Sequence, residues 1–173
     1  MNGNKIHLLC LLFNLGASYL DNEKESITQM EIRDIRPEDY ESWYVLWRAY
    51  LEFYETEVPT EIYELTFSRL ISQSHPKQCA LVAEVSKNLV GLVHYISHPH
   101  NWRKEEVIYL QDLFTQPDMR GRGVGRSLIE AVYLVADKNG TPNVYWLTQD
   151  FNNIARGLYD KVATLTPFIK YNR

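Results

Sequence analysis

The spacing of apolar residues changes along this chain, and the changes predict where helices and strands lie. Apolar positions recur every three or four residues from Tyr40 to Tyr54 and from Val124 to Val135, which predicts two amphipathic helices. Shorter helices are predicted at 60–72 and 151–161. Continuous or alternating apolar runs predict strands at 30–36, 79–85, 89–97, 107–114, 143–148 and 166–171.

The loop at 120–126, Arg-Gly-Arg-Gly-Val-Gly-Arg, joins the strand at 107–114 to the helix that begins near Val124. Its alternate glycines let the backbone turn tightly or approach a ligand, because no side chain stands in the way. The helix N-terminus adds unpaired N–H groups and the positive end of the helix dipole. With its three arginines, this loop predicts a phosphate or pyrophosphate site. The plainer alternative is a glycine turn with exposed arginines.

Two common phosphate-binding loops do not fit this segment. A P-loop ends in Gly-Lys followed by Ser or Thr, whereas here Arg126 stands in place of the lysine. A dinucleotide-binding loop reads G-x-G-x-x-G, and its third glycine would fall on Arg126 or Leu128. The ligand is therefore expected to be a phosphate compound of another kind.

Two motifs together resemble the GNAT superfamily of N-acetyltransferases. Arg120-x-x-Gly123-x-Gly125 is similar to the loop that holds the pyrophosphate of acyl-CoA in that superfamily. The segment from Asn152, reading Asn-x-x-Ala-x-x-Leu-Tyr-Asp-Lys, resembles the start of the superfamily's next helix. The strand sequence Tyr-Leu-Gln-Asp-Leu at 109–113 and the ending from Tyr159 onward are similar to a small fungal and bacterial subfamily of histone and polyamine acetyltransferases.

The resemblance covers nearly all of 30–173 and implies an α/β (α+β) domain with the GNAT fold. That fold has a central mixed, mostly antiparallel sheet with two splayed parallel strands, flanked by helices. Residues 1–29 are interpreted as an N-terminal extension. Their apolar run at 6–15 follows a single lysine, Lys5, and no convincing cleavage site comes after it, so a signal peptide is the weaker reading.

The resemblance also implies the cosubstrate, acetyl-CoA, and the residues that would bind it. Its pantetheine arm would lie between the splayed strands and pair with backbone on the first of them, and the loop amides would hold the pyrophosphate. The residues implied are Leu113, Phe114, Thr115, Arg120, Gly121, Arg122, Gly123, Val124, Gly125, Arg126, Asn152, Ala155 and Tyr159.

The implied reaction is direct acetyl transfer from the thioester to a primary amine. Tyr159 occupies the position of the acid that protonates the departing thiolate. The residue that removes the proton of the amine is left open, because Gln111 stands where polyamine acetyltransferases often carry Glu, and glutamine cannot take a proton. Asp112 is the first candidate, provided that a bulge turns it toward the site. Glu57 is the second, and Glu55 or solvent is also open.

The same resemblance, together with the acidic stretch at 52–57, predicts that the acetyl acceptor is an amine. Polyamines, lysines of basic proteins such as histones, and aminoglycoside-like amines all fit. A CoA-binding sensor or assembly module without transfer activity is the alternative, and Gln111 is its main support. A homodimer or higher oligomer is expected, since an apolar last strand at 166–171 could pair across a subunit boundary.

Composition excludes some partners. With 22 acidic and 18 basic residues the formal net charge is −4, which argues against direct nucleic-acid binding. The cysteines Cys10 and Cys79 form no metal or redox motif, so a cytoplasmic location is the simplest expectation. No membrane partner is expected. His94, His98 and His100 lack the spacing of metal ligands, and no metal is expected.

Overall fold

The computed structural model describes residues 30–173, so the expected extension at 1–29 and Cys10 lie outside the described residues. A short 3₁₀ turn at Pro37–Asp39 precedes the helix that begins at Tyr40, and another at Pro117–Met119 precedes the glycine loop. The strands are β1 Met30–Asp34, β2 Gln78–Val85, β3 Asn88–His98, β4 Val107–Thr115 and β5 Val144–Tyr145. The helices are α1 Tyr40–Phe53, α2 Thr60–Leu70, α3 Val124–Lys138 and α4 Asn153–Val162.

The five strands form one sheet in the order β1-β2-β3-β4-β5. Neighbouring strands are antiparallel except β4 and β5, which run parallel. The parallel pairing covers only Ile108 with Val144 and Tyr109 with Tyr145, while β4 continues to Thr115. The two strands therefore part beyond Tyr109, which confirms the expected mixed sheet and leaves one edge of β4 unpaired by β5.

Each face of the sheet carries its own core. On one face α1 and α2 pack Trp43, Trp47 and Phe67, each at most 7% exposed, against the strands. On the other face α3 buries Val124 and Leu128 together with later residues on the same stripe. A fully buried side chain of this size stabilises the fold by about 1.5–3 kcal/mol. The helices predicted from apolar spacing at 40–54 and 124–135 are thus confirmed, and most of the residues that define the spacing are buried.

A bulge interrupts the pairing of β3 with β4. Tyr95 pairs with Leu110 and His94 pairs with Asp112, so Gln111 has no partner opposite it. An inserted residue reverses the alternation of side chains that follow it. Leu110 accordingly packs on the α3 face, whereas Asp112 is buried on the α1 face beside Trp47.

Two of the predicted strands are wrong in extent. The strand expected at 143–148 is ordered as a strand for two residues only, and 166–171 forms no strand. The side chains of Phe168, Ile169 and Tyr171 are 74–86% exposed. A strand requires a neighbouring edge to satisfy its N–H and C=O groups, and this segment does not pair with β5. Apolar composition alone therefore misidentified the tail.

A buried ion network joins β1 to the turn before α1. Both Asp39 carboxylate oxygens accept hydrogen bonds from Arg33, at 2.7 and 2.9 Å, and Oδ2 also accepts from the Arg36 N–H at 2.7 Å. Arg33 contacts Glu84 on β2 at 2.6 Å. The hydrogen bonds from Arg33 lower the pKa of Asp39 below its ordinary value of 3.8.

The Asp39→Asn variant is expected to be less stable at pH 7 by about 3 kcal/mol, because Arg33 loses the more deeply buried of its two carboxylate partners. A carboxyl group whose pKa is lower in the folded state stabilises the fold at pH values above its unfolded-state pKa. This contribution is lost as the pH falls through its folded-state pKa. The difference from the parent protein should therefore shrink below about pH 3.8. Urea unfolding at pH 7 and pH 3 checks this. Glu38→Gln, next to it but exposed, is the control, and an equal loss in both variants would contradict the assignment.

Candidate active site

A cleft of about 600 Å³ opens where β4 and β5 part. The end of β4, the first turn of α3, the inner side of α4 and the last turn of α1 form its walls. Its lining residues are Tyr50, Phe53, Tyr54, Leu113, Phe114, Thr115, Met119, Arg120, Gly121, Gly123, Val124, Gly125, Arg126, Asn152, Ile154, Ala155, Gly157, Leu158, Tyr159 and Lys161. All of the residues expected to bind acetyl-CoA lie here except Arg122.

The glycine loop reaches the cleft in a conformation that side chains oppose. Gly121 and Gly123 have φ values of 75° and 89°, in the left-handed region. The first backbone bond of α3 runs from the Ser127 N–H to the Gly123 carbonyl at 2.9 Å. The amides of residues 124–126 therefore have no partner within the helix, and they lie at its positive end. This geometry suits an anion such as a pyrophosphate.

The three arginines of the loop differ in position. Arg120 is held by a bond from its Nε to the Thr115 carbonyl at 3.3 Å, and its guanidinium lies 6.0 Å from the ring centres of both Phe53 and Phe114. Arg126 contacts Glu130 at 3.5 Å. Arg122 is exposed and does not line the cleft. Two of the three charges are thus placed where a phosphate ligand could meet them.

The backbone of β4 presents donors to the cleft. The Gln116 N–H donates to the Val90 carbonyl of β3 at 2.9 Å. Because successive N–H groups of a strand point to opposite sides, those of Leu113 and Thr115 point away from β3, toward the open edge. They are therefore available to a ligand that runs along β4.

Tyr159 projects from α4 into the same cleft. Its ring packs edge-on against Trp146, with the ring centres 5.3 Å apart. Burial, and next the nearby Tyr54, raise the pKa of Tyr159 to about 12. Its hydroxyl is therefore protonated at neutral pH and can donate a hydrogen bond.

Asn152 caps α4 at the cleft wall. Its side-chain oxygen accepts from the Ala155 N–H at 3.4 Å, and its side-chain nitrogen donates to the Thr148 hydroxyl at 3.2 Å. Asn is a favoured cap because it satisfies an N–H of the first turn. These bonds fix the start of α4, and with it the direction of Tyr159.

The candidate bases lie in different places. Asp112 is 7% exposed and accepts hydrogen bonds from His94 Nδ1 at 2.8 Å and Trp47 Nε1 at 3.2 Å. Glu55 and Glu57 are exposed in the loop after α1 and do not line the cleft. Gln111 is exposed at the bulge. The structure thus does not bring Glu57 or Glu55 against Tyr159.

Sequence reasoning missed Tyr50 and Tyr54 as cleft residues. Both belong to the stripe of apolar residues at 40–54, and Tyr54 directly follows the last residue of α1. They stand at the end of that stripe, where the helix extends past the core toward the open edge of β4. Their hydroxyl groups were the available signal, because a core-only position does not require a polar tip.

Among residues 30–173, no three His, Cys, Asp or Glu side chains are grouped so that they could hold a metal ion. His98 instead contacts the Tyr145 hydroxyl at 3.1 Å. Within the same described range, no helix is long and apolar enough to cross a membrane.

Comparison with known proteins gives the family. The profile described as Acetyltransferase (GNAT) family matches residues 40–163. The D-amino-acid N-acetyltransferase HPA3 of Saccharomyces cerevisiae is 40% identical over 152 residues, which cover 87% of this chain and 94% of that protein. An acetyltransferase of Pectobacterium atrosepticum is 29% identical over 133 residues, covering 77% and 86%. The chain belongs to the GNAT family and is an acetyltransferase.

Solved structures agree on the fold. The aminoglycoside N-acetyltransferase AAC(6')-Iy, solved with a bisubstrate analogue of CoA, superimposes with a TM-score of 0.74 at 19% identity, covering 84% of this chain and 98% of that one. The cleft offers groups of the kind that acetyl-CoA requires: amides at a helix N-terminus, strand amides along β4 that β5 does not pair, and a tyrosine hydroxyl.

Proposed function

We propose that this protein transfers an acetyl group from acetyl-CoA to a primary amine within a ternary complex. The observation that carries the proposal is that one cleft joins the amides at the start of α3 to the Tyr159 hydroxyl. Acetyl-CoA supplies an activated thioester, so the protein needs to bind it, place the amine and manage two protons.

The residues divide that work as follows. The loop amides at 124–126 hold the pyrophosphate, and the Leu113 and Thr115 N–H groups hold the arm. The Leu113 N–H also stabilises negative charge on the reacting carbonyl oxygen. Tyr159 donates a hydrogen bond to the departing sulfur, and its raised pKa keeps that proton in place until the thiolate forms.

The amine must lose a proton before it attacks, because a lysine-like amine has a pKa of about 10.4. We assign this proton to Asp112, which lies on β4 immediately before Leu113 and is turned toward α1 by the bulge. Glu57 is the second candidate and would act through water.

The acceptor is proposed from charge and from relatives. Glu52, Glu55 and Glu57 are exposed where α1 ends at the cleft, and they favour a cationic amine. The yeast relative is named for D-amino acids, so their α-amines join polyamines, protein lysines such as those of histones, and aminoglycosides as candidates. The net charge of −4 supports an amine rather than a nucleic acid as partner. A cytoplasmic location stays a prediction.

The proposal is tested by measuring free CoA released from acetyl-CoA in the presence of these four amine classes. Release that depends on one class identifies the acceptor. Binding of acetyl-CoA without release on any amine would overturn the proposal and favour a CoA-binding sensor.

We also propose that two copies associate through the C-terminal tail. Strand β5 is an edge of the sheet, and a second cavity of about 570 Å³ lies between β5, α3, α4 and the tail. The exposed apolar side chains of the tail give a second copy the apolar surface that an interface requires. Sedimentation should show a dimer or larger species, and a purely monomeric protein would remove this proposal.

A further inference from the structure

A chain of buried polar side chains lies behind the cleft, on the α1 face of the sheet. The Trp43 indole donates to His94 Nε2 at 2.8 Å, and His94 Nδ1 lies 2.8 Å from Asp112 Oδ2. Trp47 donates to the same carboxylate oxygen at 3.2 Å. His94 and Asp112 are 5% and 7% exposed. Burying such groups costs free energy unless every one is paired, and here they are paired with one another.

The bonds determine which histidine nitrogen carries the proton. An indole N–H only donates, so His94 Nε2 must accept and carries no proton. The proton of neutral His94 therefore sits on Nδ1 and points at Asp112. The Asp112 Oδ2 atom thus accepts from two donors, His94 and Trp47, which fix the orientation of the carboxylate.

Asp112 is too deeply buried to meet an amine directly, and Tyr50 stands between it and the cleft. Tyr50 lines the cleft, and its ring packs edge-on against Phe114 and Tyr54, with ring centres 6.5 and 5.0 Å away. The pKa of Tyr50 is raised, first by burial and then by the nearby charge of Asp112. Tyr50 also follows Trp47 by three residues on α1, and Trp47 bonds Asp112, so the Tyr50 side chain lies on the helix face that is turned toward that carboxylate.

We propose that Tyr50 relays the proton of the acceptor amine to Asp112, and that His94 orients the Asp112 carboxylate to receive it. In this step the amine N–H bond breaks and a new O–H bond forms on Tyr50. The original Tyr50 proton moves to an oxygen of Asp112. Tyr50 stays neutral throughout, so its raised pKa does not oppose the transfer. The proposal rests on the acetyl transfer proposed above.

The titratable groups that face Asp112 are few in the described residues. His94 faces it from β3, Tyr50 faces it from α1, and Tyr109 lies near it on β4. A change in the pH dependence of transfer can therefore be assigned to this small set.

The first test replaces Tyr50 with phenylalanine. Tyr50→Phe keeps the ring contacts and removes the hydroxyl, so kcat at saturating amine should fall about 100-fold while the affinity for acetyl-CoA stays unchanged. Tyr44→Phe is the matched control, since Tyr44 lies on the same helix and its ring packs on Tyr63 rather than in the cleft. It should retain the parent kcat. A parent-like kcat in Tyr50→Phe would overturn the relay.

The second test separates positioning from packing at His94. In His94→Asn the amide nitrogen takes the place of Nδ1 and can still donate to Asp112. In His94→Gln the amide reaches the place of Nε2, where it can accept from Trp43 but no longer donates to Asp112. The acid limb of the kcat profile should move to higher pH in His94→Gln and return toward the parent in His94→Asn. Equal profiles in both variants, with only stability lowered, would overturn the role of His94.

The outcomes distinguish this inference from the proposed function. If the parent protein acetylates no amine, the transfer itself is wrong. If it turns over while Tyr50→Phe keeps the parent kcat, the transfer stands and the relay is wrong.

Discussion

Replacing Tyr159 with phenylalanine is expected to lower kcat about 100- to 1,000-fold while leaving acetyl-CoA affinity nearly unchanged. The hydroxyl is the only group lost, because the ring still packs on Trp146. Without that donor, the sulfur leaves as an unassisted thiolate, and the loss is felt in the transition state rather than in binding. Single-turnover release of CoA and calorimetric binding of acetyl-CoA measure the two effects separately.

The control for this prediction is Tyr145→Phe. Tyr145 also carries a hydroxyl that contacts a neighbour, His98, but it lies on β5 outside the cleft. Its removal should leave kcat within about twofold. A small effect in Tyr159→Phe, or a loss confined to acetyl-CoA affinity, would show that Tyr159 packs against the ligand without assisting the leaving group.

The Gly123→Ala variant is expected to weaken acetyl-CoA binding by more than tenfold. At φ 89° an added Cβ strains the backbone by about 1–2 kcal/mol, although it would meet no atom within 4 Å. Relieving that strain rotates the amides at the start of α3 away from the direction in which they face the cleft. Binding should therefore fall by more than the loss of stability accounts for. Calorimetry with CoA and with desulfo-CoA, which keeps the pyrophosphate, measures it.

Gly140→Ala is the matched control. Gly140 follows α3 with φ 65°, and an added Cβ there also meets no atom within 4 Å. The two variants carry similar strain, but Gly140 lies at the opposite end of the helix from the cleft. It should lower the melting temperature without changing acetyl-CoA affinity. If both variants bind alike, the loop amides are not what holds the pyrophosphate.

Local patterns predicted most of the fold. The buried stripe of α3 could be predicted because Val124, Leu128 and Val132 all face the sheet. Apolar residues at this 3.6-residue spacing indicate one buried helix face. The glycine loop could be predicted because the left-handed backbone at Gly123 disfavours any residue with a Cβ, so the glycines in the sequence mark the turn. The tail at 166–171 was misread, because whether an apolar segment becomes a strand depends on an edge elsewhere in the assembly.

The buried side of the candidate site could not be predicted from the sequence. The side on which Asp112 lies depends on one unpaired residue in β4, and nothing in the alternation of 107–115 marks Gln111 as that residue. His94 lies 18 residues before Asp112 in the chain, and Tyr50 lies much farther before it. Only the pairing of β3 with β4 and the packing of α1 bring them together.

The parting of β4 from β5 makes the two edges of one central strand unequal. The N–H groups of Asp112 and Phe114 face β3, whereas those of Leu113 and Thr115 face the gap. In deuterated buffer we expect neighbouring amides of β4 to exchange at rates that alternate from residue to residue, fast toward the gap and slow toward β3. Saturating acetyl-CoA should abolish the alternation, so this strand reports occupancy of the cleft without any added label.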